Sequence, residues 1–156
     1  MSTIEKKSLK VGKYVDNAHV NTVIRNYKKE RWAQNSKKLG KPDSLSLWYS
    51  VEELESFIED IKSHDGDGIR MYFAVYPNET ESVKGKDGRQ SVVLVATRSK
   101  EDNEVLMHKD IYVTDNGKPA LLAYNMLNYC PPLCNGGLGG GPATIIEDEN
   151  HGLSVI

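Results

Sequence analysis

The chain has 156 residues and a mass of 17.4 kDa, enough for one domain that buries roughly two-thirds of the surface its unfolded form exposes. Apolar residues make up 38% and charged residues 27%, which excludes a disordered chain, and no apolar run approaches the roughly 20 residues that cross a bilayer. The formal net charge of −2 favours neither nucleic acid nor membrane as a partner.

Charge is nevertheless unevenly placed. Residues 1–41 hold eleven Lys/Arg against Glu5, Asp16 and Glu30, a net of +8, while the remainder carries −10. Such asymmetry reads either as a basic helix lying on its own acidic body or as a surface for an acidic partner. The basic segment lacks interleaved aromatics and any RNA-binding signature, so nucleic acid is not the expected partner. MSTIEKKSLK has no apolar stretch behind its basic residues, no lipid-attachment motif is found, and only Cys130 and Cys134 occur, too few for a disulfide framework. A cytoplasmic protein without membrane association is expected, and the Asn78-Glu79-Thr80 sequon then has no meaning.

In chain order, residues 1–15 read as an irregular lead-in. Val20, Val23, Ile24 and Tyr27 recur at helical spacing, with Asp16 or Asn17 as cap and Gly40 followed by Pro42 as the stop. Trp32 and Leu39 fall off that stripe, so the second half of the helix is expected to bend or pack elsewhere. Leu45–Tyr49 is a short strand. Ser50-Val51-Glu52-Glu53 is a capping box that opens an amphipathic helix, with Leu54, Phe57, Ile58 and Ile61 on one side and Asp65-Gly66-Asp67-Gly68 as its end. Ile69–Tyr76 is a strand closed by Pro77, and Ser91–Thr97 is an apolar central strand covered on both faces; the two form a hairpin with a long loop. Val105–Val113 is a weaker strand, Asp115-Asn116-Gly117-Lys118 a tight hairpin turn, and Pro119–Leu127 either a returning strand or a short helix. Residues 130–142 cannot be regular structure, and 135–156 reads as a glycine-rich, mobile tail that docks at most by Ile145, Ile146 and Val155. No internal repeat is present. The expectation is a single α+β domain, a small and mostly antiparallel sheet with two helices packed on one face.

Several constellations carry possible chemistry. Cys130 and Cys134 stand at a spacing seen for paired zinc ligands, and His108 and His151 would complete four; a disulfide pair or two unlinked cysteines in a turn explain the same residues. The Gly136–Gly141 run lacks the Gly-Lys-Ser/Thr ending and the flanking strand and helix of a phosphate loop. Asp65-Gly66-Asp67-Gly68 resembles a calcium-loop fragment without its distal glutamate, and serves equally as a helix end. His64-Asp65 and His108-x-Asp110 place imidazoles near carboxylates, with no nucleophile assigned to either. On the Ile69–Tyr76 strand, Arg70, Tyr72 and Tyr76 share one face, opposite Ile69, Met71, Phe73 and Val75. If the latter face the core, the tyrosines either line a binding surface or pack beneath a helix. Arg25, Lys28, Lys29 and Arg31 form the basic part of the first helix.

Leu47–Leu54, Gly68–Phe73, Ser91–Thr97 and Cys130-Pro131-Pro132-Leu133-Cys134 resemble a group of small bacterial α+β proteins. These share a W/Y-S-x-E-E-L helix start, a G-I-R-x-Y-F strand, an apolar V-x-L-V-x-T strand and a C-P-P-x-C segment. The resemblance covers roughly residues 45–134 and brings no activity, cofactor or site residues with it. It lends the Cys130–Cys134 turn some weight. The reading that results is a non-enzymatic interaction domain without a cofactor, binding a protein or a second copy of itself through the Arg70/Tyr72/Tyr76 face or through the basic helix. The alternative is a zinc- or thiol-dependent protein centred on Cys130 and Cys134.

Overall fold

A computed structural model describes residues 10–78, 85–103 and 105–125, together with the backbone of three further strands at 128–130, 145–148 and 152–155. Residues 10–16 are irregular. Asp16 then caps the first helix, its carboxylate accepting from the His19 N–H at 2.8 Å, and α1 spans Asn17–Tyr27. At Lys28 the winding changes. Lys28–Trp32 is a π-helical turn in which the Ala33 N–H donates to the Lys28 carbonyl, five residues back. The chain resumes as α2, Ala33–Leu39, and stops at Gly40, whose φ of 70° suits glycine.

This wide turn explains why the helical stripe fades after Tyr27. Residues five apart diverge on a regular α-helix, but the π turn brings Tyr27 and Trp32 to the same side. The Tyr27 hydroxyl lies 3.2 Å from the Ser44 carbonyl and 3.0 Å from the Gln90 side-chain oxygen, and the Trp32 indole N–H donates to the Asp43 carbonyl at 2.8 Å. Asp43 itself is 2% exposed. Its Oδ1 accepts from the Gln90 N–H at 2.7 Å and the Ser44 N–H at 2.8 Å, and its Oδ2 from the Asn35 amide at 3.0 Å. Its own N–H donates to the Ser36 hydroxyl at 2.9 Å.

β1, Ser46–Trp48, leads into α3, Val51–Ser63. The capping box is formed: the Glu53 N–H donates to the Ser50 hydroxyl at 3.1 Å, and the Ser50 N–H to Glu53 Oε2 at 3.0 Å. After α3 the chain must pass close beneath the core at Gly66, where a Cβ would lie 2.4 Å from the Ile61 side chain and 2.9 Å from that of Ile111.

β2, Gly68–Val75, pairs antiparallel with β3, Gln90–Asp102, from Gly68↔Thr97 to Val75↔Gln90. On its other side β3 pairs with β4, Val105–Asp110, along Thr97–Asp102, and with β7, Ala123–Tyr124, at Leu94 and Val95. Among the described residues β2 therefore ends the sheet. β5, Tyr112–Asp115, and β6, Lys118–Leu121, form a hairpin whose turn residues Asn116 and Gly117 both have positive φ, as the Asn-Gly pair requires. The ambiguous Pro119–Leu127 stretch is thus strand as far as Tyr124; residues 126–127 lie outside the described residues. β8, Asn128–Cys130, pairs with β1. Within the glycine-rich tail, the backbones of β9, Ile145–Asp148, and β10, Gly152–Val155, pair antiparallel, a hairpin that the composition of the segment does not announce.

Phe57, Ile61, Leu94, Ala96 and Ile111 form the core, joined by Tyr49, Leu54, Ile69, Val92 and Tyr124 among others. α3 lies over Leu94 and Ala96, while the first helix reaches the same face at Gln90 through Tyr27. The architecture is α+β, an antiparallel sheet carrying both helical units on one face. No helix among the described residues is long and apolar enough to cross a membrane.

Two substitutions separate the anchors. Asp43→Ala strands buried donors from two backbone N–H groups and an amide, and is expected to cost about 2–4 kcal/mol. Ser50→Ala removes one helix cap and is expected to cost about 1 kcal/mol. Urea unfolding of both variants checks the order; equal midpoints would show that Asp43 does not hold the first helix to the sheet.

Candidate functional site

The hydrogen-bonding sense of β2 follows from its end. The Tyr76 N–H donates to the Arg89 carbonyl at 3.0 Å, one step beyond the Val75↔Gln90 pair. Main-chain groups alternate in direction along an antiparallel strand, so those of Ala74, Tyr72 and Arg70 also turn towards β3. Those of Ile69, Met71, Phe73 and Val75 turn outwards. β3 agrees: the Ala96 N–H donates to Leu122 and its carbonyl accepts from Ile111, both on the side away from β2, and Ala96 is the partner of Ile69. Among the described residues no strand pairs with this outer edge.

The side chains of the same four residues lie on the helix-bearing face. Only Ile69 reaches the core. Met71 is 63% exposed, Phe73 85% and Val75 66%. Alternation alone leaves open whether this row faces the core; the helices cover the Leu94–Ala96 region and leave the outer half of β2 bare. An uncharged apolar row thus runs beside a line of outward N–H and C=O groups.

On the opposite face Arg70 and Tyr72 do meet, and they close on Asp110. Arg70 Nη1 donates to Asp110 Oδ1 at 2.6 Å and to the Tyr72 hydroxyl at 3.2 Å, Nη2 donates to the His108 carbonyl, and the Tyr72 hydroxyl donates to Asp110 Oδ2 at 2.6 Å. The Tyr72 bond holds the Arg70 guanidinium pKa above its ordinary value; desolvation opposes it, and the Asp110 charge adds to the rise. The strap joins β2 to β4 across β3, above the buried Val95 and Thr97. It fixes the edge strand in place. The ring Nδ1 of the exposed His108 lies 3.0 Å from the Ser99 hydroxyl.

Two expectations need correction. Tyr76 is 5% exposed and does not share the open surface with Tyr72; its backbone binds Arg89 and Gly88, and the Lys86 ammonium sits 5.6 Å from its ring centre. Lys28 is buried by the π turn, its ammonium 5.1 Å from the centre of the Trp32 ring, and burial lowers its pKa; Arg25, Lys29 and Arg31 remain exposed. The residues between α3 and β2 form the helix end and turn expected of them: Asp65 adopts a positive φ, and Asp67 Oδ1 accepts from the Ser99 N–H at 2.9 Å. His64 Nδ1 contacts the Asp60 carbonyl at 2.8 Å and the Ser63 hydroxyl at 3.1 Å, away from its neighbouring carboxylate.

Of the four residues that would bind zinc, Cys134 and His151 lie outside the described residues and Cys130 is described by its backbone in β8 alone. Among the described residues no group of three or more His, Cys, Asp or Glu is arranged to hold a metal. The Gly136–Gly141 run also lies outside them.

Two shallow clefts flank α3 and the first helix. One, of about 330 Å³, is lined by Glu52, Glu53, Ser56, Phe57, Asp60 and Tyr124. The Glu53 carboxyl pKa is held below its ordinary value by the Ser50 N–H and then the Ser50 hydroxyl, which donates to Oε2 at 2.9 Å, followed by the Tyr124 hydroxyl, which donates to Oε1 at 2.9 Å. The other, of about 320 Å³, lies between Tyr27, Ser44 and Gln90 above Leu47 and Val92. Comparison with family models, with curated proteins and with solved structures returns no match.

Tyr49 packs against the Tyr124 ring at 5.5 Å, and burial, followed by the nearby Tyr76, Tyr124 and Glu53, pushes its pKa up to about 12. The neutral phenol is favoured in the folded state. Its contribution to stability is whole below about pH 10, the ordinary phenol value, and is lost as pH rises through about 12. Phenolate absorbance should show a component near pH 12 that Tyr49→Phe removes. A folded wild type in which every tyrosine ionises near pH 10 would contradict this packing.

Proposed function

We propose that the chain is a non-enzymatic, cytoplasmic protein-binding domain that receives its partner along the outer edge of β2. The observation that carries this reading is the coincidence, on one strand, of outward main-chain groups at Ile69, Met71, Phe73 and Val75 with an exposed apolar row. An extended segment laid against such an edge gains backbone hydrogen bonds and side-chain burial together. Burying a side chain such as Phe73 contributes about 1.5–3 kcal/mol. The Arg70–Tyr72–Asp110 strap supports the reading from the other face, because a strand held in place loses less freedom on binding. Exposed Arg25, Lys29 and Arg31 offer a second contact for an acidic partner, and only that contact would weaken steeply with salt.

Selection of a random peptide display library on the immobilised chain tests the edge. Selected peptides should be extended and apolar, protect the amides of Ile69–Val75 from hydrogen exchange, and lose binding to Phe73→Glu. Peptides that bind Phe73→Glu as well as wild type would place the binding surface elsewhere.

A further inference from the structure

Resting on the edge reading above, we propose that the partner is a second copy of the chain, paired β2 to β2 about a two-fold axis through Tyr72.

The register follows from the alternation. Only Ile69, Met71, Phe73 and Val75 point their main-chain groups outwards, so hydrogen-bonded pairs across an antiparallel junction must join odd-numbered residues to odd-numbered residues. A two-fold centre at Tyr72 sets Met71 against Phe73 of the second copy and Ile69 against its Val75, four such pairs in all. Centres at Met71 or Phe73 leave only three. The Tyr72 register therefore satisfies every outward group of the strand.

The side chains agree with that register. A two-fold axis perpendicular to the sheet keeps both helix-bearing faces on one side, so the two rows of Met71, Phe73 and Val75 become neighbours. Val75 of the second copy falls beside Ile69, the one row member already in the core, and each core continues across the junction. On the opposite face Tyr72 meets its own counterpart, a favourable aromatic pair. Arg70 is the strand's one charged side chain. It is neutralised by Asp110 and lies against Ala74 of the second copy, so no like charges confront each other. Natural sheet edges resist such pairing with lysine, proline or a bulge, and Ile69–Val75 contains none of these. Two Phe73 rings of roughly 150 Å² each, with the adjoining Met and Val side chains, leave the buried area below the roughly 1,200 Å² of standard specific interfaces, in the range of weak, transient contacts. The dimer is accordingly concentration-dependent.

Sedimentation equilibrium of the full chain over a range of concentrations should show a monomer–dimer equilibrium. Phe73→Lys, at a position already 85% exposed, should keep the circular dichroism of the wild type and weaken the dimer on the order of 100-fold, because each pair loses two rings. Register is read in a Cys130→Ser/Cys134→Ser background with oxidised glutathione. Tyr72→Cys brings two thiols within disulfide range at the two-fold axis and should cross-link; Ala74→Cys lies opposite Arg70 and should not. Because Tyr72→Cys also removes the Asp110 bond, dimer-dependent amide protection at Ile69, Met71, Phe73 and Val75 provides a second readout. A dimer indifferent to Phe73→Lys overturns the interface, and edge dimerisation with neither cross-link nor alternating protection overturns the register. A chain that stays monomeric while display peptides bind its edge overturns self-pairing and leaves the edge reading intact; failure of both removes both.

Discussion

The structure depends on the buried carboxylate of Asp43. It stands between the first helix and the sheet and holds the Gln90 and Ser44 N–H groups together with the Asn35 amide, while Trp32 and Ser36 bind its backbone. A charge at 2% exposure is tolerable only when its oxygens are occupied, and here three donors occupy them. The same loop determines the winding of the helix. Tyr27 and Trp32 can both reach residues 43–44 only if the five residues from Lys28 make the wide turn, so the π segment is the helix's adjustment to the clasp. Burial of Lys28 against Trp32 is a consequence of that rotation.

With the helix anchored at the Gln90 end, coverage of the sheet is uneven. α3 takes the centre through Phe57 and Ile61, and the Arg70–Asp110 strap closes part of the other face. β3 is enclosed by both, whereas β2 is supported on one side and bare along its outer half. Stiffness and exposure meet on one strand. Were β2 merely loose, its apolar row could fold inwards; bonded to Asp110 through Arg70 and Tyr72, it remains extended.

Much of this architecture is legible in local chemistry. The Ser50–Glu53 box, the Asn116-Gly117 turn and the β2–β3 pairing each follow from signals a few residues long, and each is formed. The failing stripe after Tyr27 marks the π turn, although periodicity alone cannot say what replaces the α-helix. Asp43 is not legible, because Gly40-Lys41-Pro42-Asp43 looks like an ordinary helix terminator and nothing local indicates that Gln90 will meet it. Nor is the direction of Met71, Phe73 and Val75. Alternation specifies that they share a face, but which face is covered depends on where α3 ends, a tertiary fact. Tyr76 misleads for a related reason: it continues the alternation by number but lies one residue past β2, where the chain turns towards Arg89.

Isolated exposed apolar side chains are common and need no explanation, since more than half of any folded surface is apolar. The β2 row differs in three respects. Its members are consecutive on one face, they belong to a strand whose main-chain groups on that edge have no partner strand among the described residues, and no charge interrupts them. Each feature alone is ordinary; together they describe half of a sheet junction. A junction of that kind asks its partner for an extended strand with apolar residues at alternate positions and outward hydrogen-bonding groups in phase with them. Ile69–Val75 meets those requirements itself. This self-complementarity favours a symmetric pair over a dissimilar partner, because one sequence supplies both sides in a register that leaves no outward group unmatched.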